Sequence, residues 1–180
     1  MGAAIFAYGT LEFVEVMDAV AGRRFPSRPA RLAGYARRLM AGRRYPGIIL
    51  AEGHATEGTL YSEVDGASLQ RLDGFEGSLY RRIEVQVSTQ GGALQNAWAW
   101  VVSDELRDLL SGEPWDKQRF AREELAGFVR SLARIIHDPS SRGHRECRSF
   151  AAPGLEGAEA YRAVRRGGRR EEVAKLRCYL

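Results

Sequence analysis

Cysteine is nearly missing from this chain of 180 residues: there are two, Cys147 and Cys178, both in the last quarter. Two thiols so placed supply neither a disulfide framework nor a cysteine-rich metal site, and a reducing cytoplasm is the expected compartment. Histidine is as scarce. His54 falls in an expected loop, and His137 and His144 in an expected linker, so no metal ligand set is expected. Apolar runs of 18 or more residues are lacking, and no basic region precedes the apolar start, which argues against a membrane span or a secretory leader. Neither a P-loop nor a dinucleotide fingerprint occurs, which disfavours nucleotide chemistry. A soluble, unprocessed chain is the expectation.

Charge of one sign is lacking in the body of the chain and concentrated at its end. From Arg142 to Leu180 there are ten Lys and Arg against five acids, a surplus of five. The whole chain carries +4, so residues 1–141 carry about −1, and the basic character belongs to the tail. With 44% hydrophobic and 28% charged residues, one domain with a sizeable core is expected. We place that domain at residues 1–136 and read 137–180 as a linker followed by a basic helical C-terminal extension.

Ala3 to Tyr8 reads as a buried strand ended by Gly9, and Glu12 to Ala21 as a helix with Phe13, Val16, Met17 and Val20 on one face and Gly22 as its stop. Arg28 to Gly42 reads as one long bent strand with Gly34 at a bulge. Ile48 to Leu50 and Thr56 to Val64 read as two further strands. Asp65 is placed to cap a short helix that ends near Glu76 and Gly77. Ile83, Val85 and Val87 alternate with Arg82, Glu84 and Gln86 in a half-buried strand, and Ala97 to Val102 follows as its hairpin partner. Ser103 is placed to cap a short helix, and Phe120 to Ile136 carries the apolar face of a longer one. Strands fill the first hundred residues and helices the rest, an α+β pattern with a small, mainly antiparallel barrel or sheet flanked by helices.

Chemistry concentrates in two stretches. Tyr8-Gly9-Thr10-Leu11 follows a strand directly, and the amides at the start of the next helix lack internal acceptors. Such a place suits a carboxylate or a developing oxyanion, or else is a tight connection with Thr10 as N-cap. Leu72-Asp73-Gly74-Phe75-Glu76-Gly77-Ser78-Leu79-Tyr80-Arg81-Arg82 sets Glu76 among apolar neighbours at a helix-to-strand junction. A partly buried carboxyl there has a raised pKa and shuttles protons near neutrality, unless it is paired with Arg81 or Arg82. Asp73, one turn earlier, is expected to face solvent or the same arginines.

Tyr8 to Leu11, Tyr45-Pro46, Gly58-Thr59-Leu60-Tyr61 and Leu72 to Arg82 occur in the order and spacing of the γ-glutamylcyclotransferase-like family, which this chain resembles over roughly residues 4–130. The resemblance extends to its γ-glutamylamine cyclotransferase members. It implies release of 5-oxoproline and a free amine from a γ-glutamyl amide, by attack of the substrate's own α-amine on its γ-carbonyl, with no metal and no cofactor. It further implies that Glu76 is the general acid/base and that the backbone of Tyr8, Gly9, Thr10 and Leu11 binds the γ-glutamyl group. Tyr45 and Tyr80 line the pocket or pack the core. The expected partner is a small γ-glutamyl substrate, with no membrane and no nucleic acid. The competing reading is a non-catalytic module of the same fold whose basic tail contacts nucleic acid or an acidic partner.

Overall fold

Phe6 and Tyr8 alternate with Ile5 and Ala7 along the first strand, and all four are buried. A strand buried on both faces needs cover on each side, and a sheet that closes on itself provides it for the face that carries Phe6 and Tyr8. The structure, a computed structural model, describes residues 2–137. Its strands are β1 (Ala3–Ala7), β2 (Ser27–Leu39), β3 (Pro46–Val64), β4 (Tyr80–Thr89) and β5 (Leu94–Val102), and its α-helices α1 (Val14–Ala21), α2 (Gly66–Glu76), α3 (Lys117–Glu123) and α4 (Leu125–His137). The strands close into a barrel in the order β1-β3-β2-β4-β5. Every pairing is antiparallel except that of β1 with β5, through Ile5 and Trp98. Phe6, Tyr8, Leu32, Ile48, Leu60, Val87 and Ala99 belong to one buried cluster. The α+β barrel with flanking helices is the expected class.

Several elements differ from the sequence reading. Ile48 to Leu50 and Thr56 to Val64 belong to one strand of 19 residues, because both halves pair with the same partner, β2. The interruption between them is absorbed where the register shifts between Ala33 and Tyr35, with Gly34 and Gly53 in left-handed conformation. Residues 10–12 form a 3-10 turn instead of opening an α-helix, so α1 begins only at Val14. Thr10 is therefore not an N-cap: Gly9 holds that position, without a side-chain bond, and Thr10 is buried inside the turn. The long helix expected beyond Phe120 is two, α3 and α4, with the break at Glu124, whose φ is −119° and whose carboxylate is held by Arg44. Ser103 precedes a 3-10 helix, Asp104–Leu109, without capping it through its side chain.

Other signals were read as they stand. Asp65 caps α2 by accepting from Ser68 N at 2.8 Å, and Gly22 ends α1 at φ 80°. Ser68 Oγ and Arg71 Nε both donate to the Ala21 carbonyl, each at 2.9 Å, which ties α2 to the end of α1. Residues through Leu125 form one unit and those from Ala126 a second, of which α4 supplies the described part. His137 is the last residue of α4. The rest of the expected linker, the expected basic helical extension, His144 and the two cysteines lie outside the described residues. Among the described residues no helix is long and apolar enough to cross a membrane.

The glycine of Gly58-Thr59-Leu60-Tyr61 has a packing explanation. A Cβ at Gly58 would stand 2.3 Å from the Ala7 carbonyl oxygen and 2.7 Å from the Phe6 ring. Neither backbone nor a wholly buried ring yields cheaply, so Gly58→Ala is expected to lower stability by about 1–3 kcal/mol. A urea midpoint equal to that of the wild type would contradict this.

Candidate active site

The end of β1 delivers Tyr8 into a turn whose carbonyls are all engaged. Arg37 Nη1 donates to the Tyr8 carbonyl at 2.7 Å, Glu12 N to that of Gly9 at 2.9 Å, Phe13 N to that of Thr10 at 3.2 Å, and Tyr61 Oη to that of Leu11 at 2.9 Å. In a trans peptide the N–H points opposite to the carbonyl before it, so these four contacts fix the directions of the Gly9, Thr10, Leu11 and Glu12 amides. Tyr8 itself is buried, and its hydroxyl donates to the Trp100 carbonyl on β5.

The second stretch forms the junction from α2 to β4. Glu76 is the last residue of α2. Gly77, at φ 65° and ψ −158°, turns the chain out of the helix in a conformation that suits glycine, and Tyr80 opens β4. Asp73 is fully occupied: Oδ2 accepts from Arg82 Nη1 at 2.6 Å and Oδ1 from Trp100 Nε1 at 3.1 Å. The Arg82 guanidinium also lies over the Trp98 ring, 5.2 Å from its centroid. Arg82 therefore goes to Asp73, and among the described residues the Glu76 carboxyl has neither an ion pair nor a hydrogen bond. Burial, reinforced by the nearby Asp73 charge, pushes Glu76 from the ordinary 4.5 up to about 8. The residue as a whole is half-buried, and its carboxyl is held in the neutral range by that burial.

Three phenols lie within electrostatic reach of that carboxyl. Tyr8 and Tyr80 are pushed well above the ordinary tyrosine value and Tyr45 is raised, in each case by burial first, with the Glu76 charge adding to it. Tyr80 Oη donates to the Pro46 carbonyl at 2.9 Å, joining β4 to the Tyr45-Pro46 turn. Pro46 also lies against Gly9, where an added Cβ would come within 3.0 Å of its ring. Glu76, Tyr8, Tyr45 and Tyr80 thus converge, with the Gly9 turn abutting the same proline.

The sequence reading missed Arg37, Glu12 and Lys117. Glu12 is the buried centre of this cluster, its side chain 5% exposed, with Oε1 on Arg37 Nη1 at 2.9 Å and Oε2 on Lys117 Nζ at 2.6 Å. The partners stand 25 and 105 positions away, so no local pattern announces them. Among the described residues no group of three or more His, Cys, Asp or Glu is arranged to hold a metal ion.

The small closed barrel with flanking helices is also the fold of a solved γ-glutamyl cyclotransferase. That structure aligns over 92% of this chain and 99% of its own, with TM-score 0.55 and 17% identity. A solution structure of an Arabidopsis thaliana protein aligns over 87% and 96%, with TM-score 0.58 and 23% identity. In sequence, protein AIG2 C of Arabidopsis thaliana is 27% identical over 135 residues, 73% of this chain and 80% of that protein. The sequence model of the γ-glutamyl cyclotransferase, AIG2-like family matches residues 5–117, and the chain belongs to that family.

Proposed function

We propose that the protein is a γ-glutamylcyclotransferase acting on a γ-glutamyl amide, with Glu76 as its general acid/base. The observation that carries this reading is the Glu76 carboxyl, without an ion pair among the described residues, raised to about 8 and set among three tyrosines. The substrate brings its own nucleophile. Glu76 takes a proton from the α-ammonium, the freed amine attacks the γ-carbonyl, and the new C–N bond closes the five-membered lactam. Collapse of the tetrahedral intermediate breaks the amide C–N bond, Glu76 returns its proton to the leaving nitrogen, and the second proton that the attacking nitrogen sheds on becoming a lactam ends on the departing amine, so 5-oxoproline and an ammonium product leave with no oxidant or cofactor consumed. The backbone from Tyr8 to Leu11 binds the γ-glutamyl group, Tyr45 and Tyr80 line its pocket, and holding the chain folded supplies much of the acceleration.

The test is 5-oxoproline release from a panel of γ-glutamyl amino acids and γ-glutamyl-lysine-type amides. Turnover on one member is expected, and silence of the folded protein across the panel would overturn the reading. The pH profile carries a finer expectation. The base must be ionised, so kcat/KM rises with pH up to about 8. Asp73 raises the Glu76 pKa, hence Asp73→Asn moves the acidic limb to lower pH; an unmoved or upward-shifted limb would separate that limb from Glu76.

A further inference from the structure

We infer that Arg37 is a positioning residue for substrate: by gripping the Tyr8–Glu12 turn at both ends it sets the direction in which the Gly9 amide points. The inference rests on the reading that this backbone holds the γ-glutamyl group. One guanidinium nitrogen, Nη1, reaches both the Tyr8 carbonyl at 2.7 Å and Glu12 Oε1 at 2.9 Å, so a single atom ties together the two ends of a five-residue segment. Of the four carbonyls from Tyr8 to Leu11, two are held by backbone amides inside the turn and two by side chains, Arg37 and Tyr61. Among the described residues Arg37 is the side chain that holds the Tyr8 carbonyl, and with it the peptide that carries the Gly9 N–H; glycine, lacking a Cβ, has the least resistance of its own to rotation of that peptide.

Arg37 is itself immobilised. Its side chain is 22% exposed, and its guanidinium lies over the Trp115 ring, 5.2 Å from the centroid. Glu12, which anchors it, is anchored in turn by Lys117, whose Nζ also lies 5.6 Å from the Phe13 centroid. A charged donor fixed in this way holds a carbonyl more firmly than a neutral one. An ion pair that served stability alone would have no need to direct the same nitrogen at a main-chain oxygen beside Gly9.

The test uses the full chain, with Arg37→Gln and Arg37→Lys, read by steady-state kinetics and by the amide resonances of Gly9, Thr10 and Leu11. For Arg37→Gln, KM is expected to rise about 10- to 100-fold, the worth of one charge-assisted hydrogen bond, with the acidic limb of the pH profile in place. The Gly9 resonance should shift and its amide exchange faster, and Arg37→Lys should restore part of both effects. Unchanged KM and an unchanged Gly9 resonance in folded Arg37→Gln would overturn the inference. Should the wild type release no 5-oxoproline from any amide, the proposed function fails, and the Gly9 resonance alone decides on Arg37. Should Arg37→Gln fail to fold, Glu12→Gln, which discharges the far anchor at nearly constant shape, is read for the same resonance; a shift supports the inference and its absence refutes it.

Discussion

Glu76→Gln is expected to release 5-oxoproline about 10²- to 10⁴-fold more slowly than the wild type at saturating substrate, with KM little changed. The amide is nearly isosteric and meets a site that asks little of it, since among the described residues Glu76 makes no ion pair whose loss would disturb the fold. The deficit should therefore lie in kcat, where proton transfer enters. Tyr8 and Tyr80 cannot replace the lost group, because burial and neighbouring charge hold both phenols well above the range in which they ionise near neutrality. A variant that retained near wild-type turnover would remove Glu76 from the mechanism.

The same substitution is expected to stabilise the protein, increasingly so as pH rises. Glu76 titrates at 4.5 when unfolded and at about 8 when folded, so the unfolded chain releases its proton first and stability falls as pH climbs between those values. Below 4.5 the carboxyl is protonated in both states and the penalty vanishes; above 8 it is ionised in both and the penalty is complete. At about 1.36 kcal/mol per pKa unit, the full cost is of the order of 3–5 kcal/mol. Glutamine never ionises and escapes it. Denaturant midpoints of the two proteins should thus converge near pH 4 and separate by pH 8 to 9, with the variant the more stable. A separation that is absent, or that favours the wild type, would show that the folded-state pKa is not raised. Together the two results describe a residue kept at a cost in stability, as expected where function requires a charge the fold would otherwise exclude.

How much of this was legible in the sequence depended on the range of the interaction. Signals that act within a few residues were read correctly: Asp65 as a cap, Gly22 and Gly77 as helix ends, and the alternation from Arg82 to Val87. Misreadings arose where a distant partner overruled a local cue. The stretch between Leu50 and Thr56 reads as a break between two strands, but pairing with β2 on both sides carries β3 through it. Glu124 lies in an unbroken helical pattern, yet α3 ends there, with the Glu124 carboxylate held by Arg44. For the candidate site, Glu76 and the Tyr8 turn stood out because the resemblance pointed to them and their neighbours are apolar. The allocation of Arg82 to Asp73, which leaves Glu76 without an ion pair among the described residues, and the clasp formed by Glu12, Arg37 and Lys117 depend on side chains 9 to 105 positions apart.

The seam of the barrel has a consequence for synthesis on the ribosome. The second neighbour of β1, β5, is made more than ninety residues after it, since Ile5 pairs with Trp98. At about 5–20 residues per second, roughly 5–20 s pass with that edge of β1 unpaired. Tyr8 waits through the same interval for the Trp100 carbonyl. The seam beside the Tyr8 turn therefore closes only once β5 has been made, and the Lys117 anchor of Glu12 follows later still.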